Sequence, residues 1–192
     1  MLVDIIIPAH NPGTYLIEAL DSCFNQTYPK FTVTVIDDFS TQDISRVVAR
    51  YKDVNYIRTD SNVGPAASRN LGIKATKGEL ISFLDADDVW NRDKLLYSVK
   101  ELEKNKRVGL TCGNYQIFIN RKKLLPPFYK RTPILNWNTL MKQNLVASGS
   151  TTVRRSAIEE VGLFDERFWI GEDYDCWLKL SEKYEIKYIP KV

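Results

Sequence analysis

The sequence predicts an α/β fold in which helices flank a mostly parallel central sheet. Short apolar runs rich in Val, Ile and Phe alternate with longer amphipathic stretches, which is typical of βαβ units. Several of these runs end in polar or acidic residues, as strands do where open parallel sheets bind ligands. The length of 192 residues agrees with one domain at ~150 residues per domain. We therefore expect a single domain over residues 1–192.

Four strands and four helices are predicted in the first half of the chain. Buried apolar runs predict strands at residues 2–7, 31–36, 54–58 and 79–84. The helical spacing of apolar residues predicts helices at residues 15–23, 41–51, 64–75 and 92–105. Ser40 and Asn91 have side chains suited to cap the second and the fourth of these helices, and Pro65 suits the first turn of the third.

The pattern is less regular after residue 106. We predict a strand at 108–119, a basic, proline-containing loop at 121–133 and a short helix at 137–143. Ser156 and Glu159 have the spacing of a capping box, which predicts the start of a helix there. The last predicted element is an amphipathic helix at 172–184.

Composition excludes several classes of protein. Hydrophobic residues make up 44% of the chain and charged residues 27%, which argues against disorder, collagen and coiled coil. The 27 basic and 24 acidic residues leave a net charge of +3, too small to indicate a nucleic-acid partner. Cys23, Cys112 and Cys176 are far apart in the sequence and include no Cys-x-x-Cys pair. We interpret them as reduced thiols, with no zinc or disulfide role.

The N-terminus and the hydropathy pattern predict a cytoplasmic protein. Met1 precedes a strand-like run directly, without a basic n-region, and no apolar run approaches the ~18 residues of a membrane span. The basic loop carries five cationic side chains that could bind an anionic lipid-linked or polymeric ligand at the inner face of the membrane: Arg121, Lys122, Lys123, Lys130 and Arg131. A solvated loop is the favoured alternative.

Polar residues follow three of the predicted strands. Residues 8–11 follow the first strand, Asp37 and Asp38 the second, and residues 85–88, which we call the acidic turn, the fourth. Because the carboxyl ends of parallel strands meet at one edge of the sheet, all three segments are expected to contribute to one site.

Three side chains in this region suggest binding of a metal and a phosphate. Asp85 and Asp87 are two residues apart, so an extended backbone directs both carboxylates to the same side. Their repulsion is offset by a divalent cation, and oxygen ligands suit Mg²⁺ or Mn²⁺. The planar guanidinium of Arg69 matches phosphate oxygens. By themselves, the two aspartates are more typical of a helix-capping turn than of a metal site. The arginine is equally typical of a protein surface and of a phosphate site.

Several segments together resemble the inverting family 2 glycosyltransferases of GT-A fold. The matching segments are 4–11, 20–28, 35–40 and 62–70, followed by Phe83-Leu84-Asp85-Ala86-Asp87-Asp88, similar to the metal motif of that family, and Gly171-Glu172-Asp173-Tyr174-Asp175, similar to the motif that carries its catalytic base. We call residues 171–175 the acidic motif. The resemblance spans almost the whole chain and implies a Rossmann-like nucleotide-binding half at 1–105 and an acceptor-side half at 106–192.

The resemblance also implies roles for individual residues. Asp173 is expected to be the catalytic base, with Glu172 beside it and Asp175 as its alternative. Asp85 and Asp87 are expected to hold Mn²⁺ or Mg²⁺. The residues expected to contact the nucleotide-sugar donor are Pro8, His10, Asn11, Asp37, Asp38, Asn62, Arg69 and Asp85. Trp169 is the aromatic candidate for the acceptor cleft.

The implied activity is transfer of a sugar from a nucleotide sugar, a UDP-sugar by resemblance, to a hydroxyl of a glycan or lipid-linked acceptor. Polysaccharide synthesis at the cell surface is the implied setting. The alternatives are a sugar-nucleotide-binding module without transfer activity and, less favoured, a phosphatase with Asp85 as nucleophile. Two features depart from the family pattern: Phe39 stands where a small residue is usual, and the sequence stops at Val192, where relatives usually continue. A truncated catalytic core is therefore expected.

Overall fold

The computed structural model describes residues 1–119, 122–123 and 135–190. The strands in this part of the chain are β1 (Val3–Ala9), β2 (Phe31–Asp37), β3 (Val54–Arg58), β4 (Leu80–Phe83), β5 (Val108–Gly113), β6 (Phe118–Ile119), β7 (Lys122–Lys123), β8 (Thr151–Arg154) and β9 (Glu185–Ile189). The helices are α1 (Tyr15–Phe24), α2 (Ser45–Val48), α3 (Gly64–Ala75), α4 (Lys94–Lys104), α5 (Trp137–Leu140), α6 (Arg155–Glu160) and α7 (Glu172–Lys183), with a 3₁₀ turn at Ser148–Ser150.

Seven of these strands form one mixed sheet in the order β3-β2-β1-β4-β8-β5-β9. β1 pairs in parallel with β2 and β4, β2 with β3, and β5 with β9. β8 lies antiparallel between β4 and β5. The predicted α/β fold with a mostly parallel sheet is therefore confirmed, and a single antiparallel strand joins the two parallel parts.

Helices cover both faces of the sheet, so its central strands are apolar on both sides. Successive side chains of β1 alternate between the two faces. Ile5 and Ile7 pack in a core that includes residues of α1 and α4. Ile6 packs in a second core with Phe83 of β4 and Trp177 of α7. No helix among the described residues is long and apolar enough to cross a bilayer.

Two predicted helix caps in the first half are wrong. α2 begins at Ser45 after Ile44, and no side chain caps it. The Ser40 hydroxyl instead accepts a hydrogen bond from the Asn11 N–H at 2.9 Å, because the loop after β2 closes against the loop after β1. Asn91 does not cap α4 either: that helix begins at Lys94, and the Asn91 side chain accepts from the Asp93 N–H at 3.2 Å.

The second half departs further from the sequence prediction. The predicted strand at 108–119 ends at Gly113, and β6 is a separate two-residue strand paired with β7. Ser156 lies inside α6, which begins at Arg155 without a side-chain cap, so the capping box is wrong. β8 and β9 were not predicted. The predicted basic loop at 121–133 lies outside the described residues except for β7.

Close packing of α3 on β1 leads to a first prediction. A Cβ at Gly72 would lie 2.5 Å from Cγ2 of Ile6, so Gly72→Ala forces a shift in the core. Overpacking costs ~1–3 kcal/mol, more than the gain of up to ~1 kcal/mol from alanine in a helix. Urea denaturation should show a lower free energy of unfolding for Gly72→Ala. Lys100→Ala, on the exposed side of α4, is the control, and equal stability of the two variants would contradict close packing.

Candidate active site

A cavity of about 640 Å³ opens at the carboxyl ends of β1, β2 and β4. It brings together most of the residues singled out in the sequence: Pro8, His10, Asn11, Asp38, Asn62, Arg69, Asp85 and Asp87. Trp169 and Ser68 also contribute to its wall. Asp37, Glu172 and Asp173 do not line it. The cavity therefore lies where the sheet order reverses around β1, the usual place for a ligand in an open α/β sheet.

Arg69 of α3 connects the cavity wall to the acidic motif. Its guanidinium donates from Nη1 to Glu172 Oε1 at 2.6 Å and from Nη2 to Asp85 Oδ1 at 3.0 Å. The side chain is only 6% exposed and lies over the ring of Phe164. Burial alone would lower the pKa of Arg69, but the carboxylates of Asp85 and Glu172 raise it above its ordinary value. A permanent cation thus sits between the two acidic segments.

Two polar atoms beside this ion pair lack partners among the described residues. They are the buried hydroxyl of Ser68 and the buried Nε of Arg69. An unsatisfied buried polar group costs ~1–3 kcal/mol, and both residues belong to the cavity wall. The site therefore has hydrogen-bonding capacity that the protein alone does not use.

Asp37 is a structural residue in this fold. Its side chain is fully buried and accepts hydrogen bonds from the Tyr56 hydroxyl at 2.5 Å, from Arg58 Nη1 at 2.6 Å and from the Ser40 N–H at 2.9 Å. Burial by itself would raise the pKa of Asp37, but these hydrogen bonds outweigh it and lower the pKa. Asp37 thereby fixes the loop from which Asp38 reaches the cavity.

Asp38 anchors the start of α3. Its carboxylate accepts hydrogen bonds from the Val63 N–H at 2.7 Å, the Gly64 N–H at 2.9 Å and the Thr59 hydroxyl at 3.2 Å. Asn62 Oδ1 accepts a further bond from the Gly64 N–H at 3.2 Å. A carboxylate at this position satisfies N–H groups that have no partner within the helix, so Asp38 joins β2 to the helix that carries Arg69.

The loop after β1 forms the opposite rim of the cavity. His10 Nδ1 donates to the Asp38 carbonyl at 2.6 Å, which leaves Nε2 as the acceptor toward Asn62 Nδ2 at 3.5 Å. The Asn11 side-chain oxygen accepts from the N–H and the hydroxyl of Thr41, at 2.8 and 2.9 Å. Asn11 has φ of 51°, a conformation in which asparagine is enriched among non-glycine residues. Both side chains therefore hold the β1 and β2 loops together.

The acidic turn presents carboxylates to the cavity. Asp85 is half-exposed and gives one oxygen to Arg69, while Asp87 is exposed. The carboxyl group of Asp88 is largely removed from water and lies near the charges of Asp85 and Asp87. These effects raise the pKa of Asp88 to about 6. The described residues contain no group of three His, Cys, Asp or Glu side chains arranged for a metal. Mg²⁺ commonly uses one or two carboxylates with substrate phosphates and water, so Asp85 and Asp87 fit an ion that binds with a phosphate ligand.

The acidic motif forms the first turn of α7. Asp173 Oδ2 accepts from the Ser148 hydroxyl at 2.9 Å, and Oδ1 accepts from the Tyr174 N–H at 2.6 Å. Asp175 instead forms an ion pair with Lys179 at 2.6 Å. Asp173 thus forms no ion pair with another described residue, whereas the charge of Asp175 is neutralised by Lys179 one turn later.

Trp169 precedes the acidic motif and covers the start of α3. Its indole ring lies 3.4 to 3.6 Å from the Cβ position of Gly64, which has φ of +86°. Trp169 is 61% exposed and is flanked by the exposed Phe168 and Ile170. Of these three residues, Trp169 contributes to the wall of the cavity.

Sequence reasoning missed two residues of the site. Ser68 lies in the matching segment 62–70 but has no assigned role in the sequence analysis, and Ser148 belongs to no motif. The lining position of Ser68 follows from its place beside Arg69, whereas the contact of Ser148 with Asp173 joins residues that are 25 positions apart. No sequence signal indicates that contact.

The hydrogen bonds of Arg69 to two different carboxylates give a second prediction. Arg69→Lys keeps the charge but loses the planar fork, so either Asp85 or the buried Glu172 loses its partner. An unsatisfied buried group costs ~1–3 kcal/mol, and thermal or urea unfolding should show a loss of this size. Arg46→Lys is the control, because the Arg46 side chain is 87% exposed. Equal stability of Arg69→Lys and the parent protein would contradict a structural role for the ion pair.

Comparison with known proteins places the chain in a family. A sequence model described as Glycosyl transferase family 2 matches residues 4–162. The chain is 28% identical over 184 residues to an Escherichia coli protein named UDP-Glc:alpha-D-GlcNAc-diphosphoundecaprenol beta-1,3-glucosyltransferase WfaP, covering 95% of this chain and 71% of that protein. It spans only 26% to 32% of the length of several other curated relatives.

Solved structures show the same fold. The Staphylococcus aureus TarS fragment 1–349 in complex with UDP-GlcNAc matches with a TM-score of 0.84 and 23% identity, over 100% of this chain and 57% of that one. The mannosyltransferase PcManGT from Pyrobaculum calidifontis in complex with GDP-Man and Mn²⁺ matches with a TM-score of 0.77 and 22% identity, over 98% of this chain and 54% of that one. Since the family model covers most of the sequence, the chain belongs to glycosyltransferase family 2.

Proposed function

We propose that this chain transfers a sugar from a nucleotide sugar to an acceptor hydroxyl, with a divalent metal and inversion of configuration. The observation that carries the proposal is the contact of Arg69 with both Asp85 and Glu172. It joins a phosphate-binding cation, a pair of metal-binding carboxylates and the motif of the proposed base at one edge of the cavity. These are the groups that transfer from a diphosphate donor requires.

The donor lies in the cavity, with its nucleoside toward the β1 and β2 loops. Pro8, His10, Asn11, Asp38 and Asn62 line that end and contribute shape and polar contacts. The diphosphate lies toward Arg69 and the acidic turn, where the orphaned Nε of Arg69 gains an anionic partner. The WfaP name and the TarS complex both include a uridine diphosphate sugar, which favours UDP as the nucleotide.

Asp85 and Asp87 are the residues that would hold Mn²⁺ or Mg²⁺ in this proposal. Their oxygen ligands and the negative charge around Asp88 suit such an ion, and one structural neighbour contains Mn²⁺. When bound, the ion supplies positive charge to the diphosphate leaving group. Arg69 stabilises the same negative charge as it develops on the diphosphate. This lowers the barrier most when the guanidinium is already oriented before the reaction.

Asp173 acts as the general base. Its carboxylate removes the proton of the acceptor hydroxyl as that oxygen forms a bond to the anomeric carbon, while the bond from that carbon to the diphosphate oxygen breaks. The proton remains on Asp173 and the nucleoside diphosphate leaves. Attack from the face opposite the leaving group inverts the configuration. Asp175 is the weaker candidate because Lys179 occupies its carboxylate.

The acceptor is a glycan or lipid-linked sugar approaching past Trp169. An exposed indole at the cavity edge provides a flat apolar surface on which a sugar ring can pack. The name of WfaP includes a diphosphoundecaprenol-linked acceptor, which supports a lipid-linked acceptor here. Such an acceptor would bring the protein to a membrane surface at the cytoplasmic side.

Metal-dependent nucleotide binding is the third prediction. UDP with Mn²⁺ should raise the melting temperature far more than UDP with a chelator, because binding adds ~2.7 kcal/mol of stability at one hundred times the Kd. Asp87→Asn should remove most of the metal-dependent part. Asp53→Asn, an exposed aspartate before β3, is the control. Equal thermal shifts of the parent protein with and without metal would reject the metal-bridged site.

The fourth prediction tests the base in the full-length protein. Asp173→Asn preserves size but cannot accept the proton, so transfer should fall by ~100-fold or more, while the Kd for UDP-sugar stays close to that of the parent. Transfer is measured by release of UDP in the presence of acceptor. Asp175→Asn is the matched variant and should keep most of the activity.

Three results would count against this proposal. Parent-like transfer by Asp173→Asn would place the base elsewhere. A product with retained configuration would exclude direct displacement. A parent protein that binds UDP-sugars but transfers to no glycan or lipid acceptor would indicate a sugar-nucleotide-binding module.

A further inference from the structure

We propose that Ser148 is a positioning residue for Asp173, and that the 3₁₀ turn Ser148–Ser150 sets the spacing between the acidic turn and the acidic motif. This inference rests on the proposed function, in which these two segments hold the donor and the base. Sequence motifs indicate both segments but nothing that connects them. The turn supplies that connection through three sets of contacts.

The first contact orients the base. Ser148 is 6% exposed and its hydroxyl donates to Asp173 Oδ2 at 2.9 Å, while the Tyr174 N–H holds Oδ1. Each carboxylate oxygen has two acceptor sites, so one hydrogen bond per oxygen restricts rotation and still leaves a lone pair for the acceptor proton. Losing Ser148 frees one oxygen and lets the carboxylate rotate.

The hydroxyl of Ser148 is not needed to form the turn itself. The Ser150 N–H and hydroxyl both donate to the Ala147 carbonyl, at 3.0 and 2.8 Å. The Thr151 hydroxyl donates to the Ser148 carbonyl at 2.8 Å. These bonds close the turn from within, and the side chain of Ser148 is directed to Asp173 instead. Its contact therefore serves the orientation of that carboxylate.

The second set of contacts places the 3₁₀ turn against the acidic turn. A Cβ at Gly149 would lie 2.7 Å from Asp88 Oδ2 and 3.4 Å from Asp85 Oδ2, so the backbone approaches these carboxylates as closely as only glycine permits. Trp90 Nε1, just after the acidic turn, donates to the Gly149 carbonyl at 2.5 Å. The position of the turn is thus tied to the segment that carries Asp85.

The third set of contacts connects β4 to β8 through the side chain of Lys94. Lys94 Nζ lies 4.1 Å from the centre of the Trp90 ring. It donates to the Thr151 carbonyl at 2.7 Å, to the Thr152 hydroxyl at 2.8 Å and to the Ser82 hydroxyl. Ser82 belongs to β4, which leads into the acidic turn, and Thr151 begins β8. The Lys94 side chain therefore fixes β8 and its preceding turn to β4, the strand that leads into the acidic turn.

The test separates chemistry from donor binding in the full-length protein. Ser148→Ala should lower kcat for sugar transfer by ~10-fold, since misorientation of a reacting group has effects of this order or larger. The Kd for UDP with Mn²⁺, measured by calorimetry, should stay within twofold of the parent. Ser22→Ala is the control, because Ser22 is likewise a buried serine, but its hydroxyl donates to the Ala19 carbonyl within α1. This variant should keep the parent kcat.

Trp90→Phe is a second variant that does not alter the turn directly. It retains an aromatic ring beside Lys94 but cannot donate to Gly149, so kcat should again fall while the Kd for UDP with Mn²⁺ is kept. Parent-like kcat in both Ser148→Ala and Trp90→Phe would overturn the inference. An equal loss of kcat and of UDP affinity would also overturn it, because the turn would then serve donor binding.

The outcome for the parent protein separates this inference from the proposed function. If the parent transfers sugar and both variants match it, only the positioning role fails. If the parent transfers no sugar, the proposed function fails, and the positioning role fails with it.

Discussion

The site depends on one buried cation shared by two carboxylates. Arg69 connects Asp85, at the end of β4, to Glu172, at the start of α7, and these residues lie on opposite sides of a long stretch of chain. A buried ion pair repays its desolvation only when its geometry is good and its hydrogen bonds are complete. Here the guanidinium reaches both carboxylates with separate nitrogens, so the orientation of α3 is strictly constrained.

The N-terminus of α3 is held in place by Asp38. That carboxylate binds the N–H groups of Val63 and Gly64, and Asp38 is itself held in the loop fixed by the buried Asp37. Gly72 lets the helix lie directly on Ile6 of β1. Three kinds of contact therefore fix the position of α3, and this helix carries both Ser68 and Arg69 into the cavity wall.

The antiparallel strand β8 brings the second half of the chain to this cavity. It lies between β4 and β5, so the turn before it reaches the carboxyl end of β4, beside the acidic turn. A parallel strand at that position would enter from the other end of the sheet. The reversed direction of β8 is what places Ser148 between the acidic turn and Asp173.

Local sequence patterns were sufficient for much of the fold and for the choice of site residues. The apolar runs of β1, β2 and β4 and the acidic residues that follow β2 and β4 are adjacent in sequence to what they predict, and the family resemblance indicated Arg69 and Asp173. The failures concern the starts of helices. Ser40 and Ser156 have the chemistry of helix caps, but the Ser40 hydroxyl accepts from the Asn11 N–H of another loop, and Ser156 lies inside α6 instead of before it.

Tertiary structure decided which of these groups meet. The partner of Arg69 in α7 is 103 positions away, and the Lys94 contacts with β8 span 57 and 58 positions. The short strands β8 and β9 are stabilised by their neighbours in the sheet. The sequence by itself therefore determined the α/β class and the chemical groups of the site. Their pairing was decided by the sheet order, because hydrogen bonds and ion pairs depend on distances that only the folded chain defines.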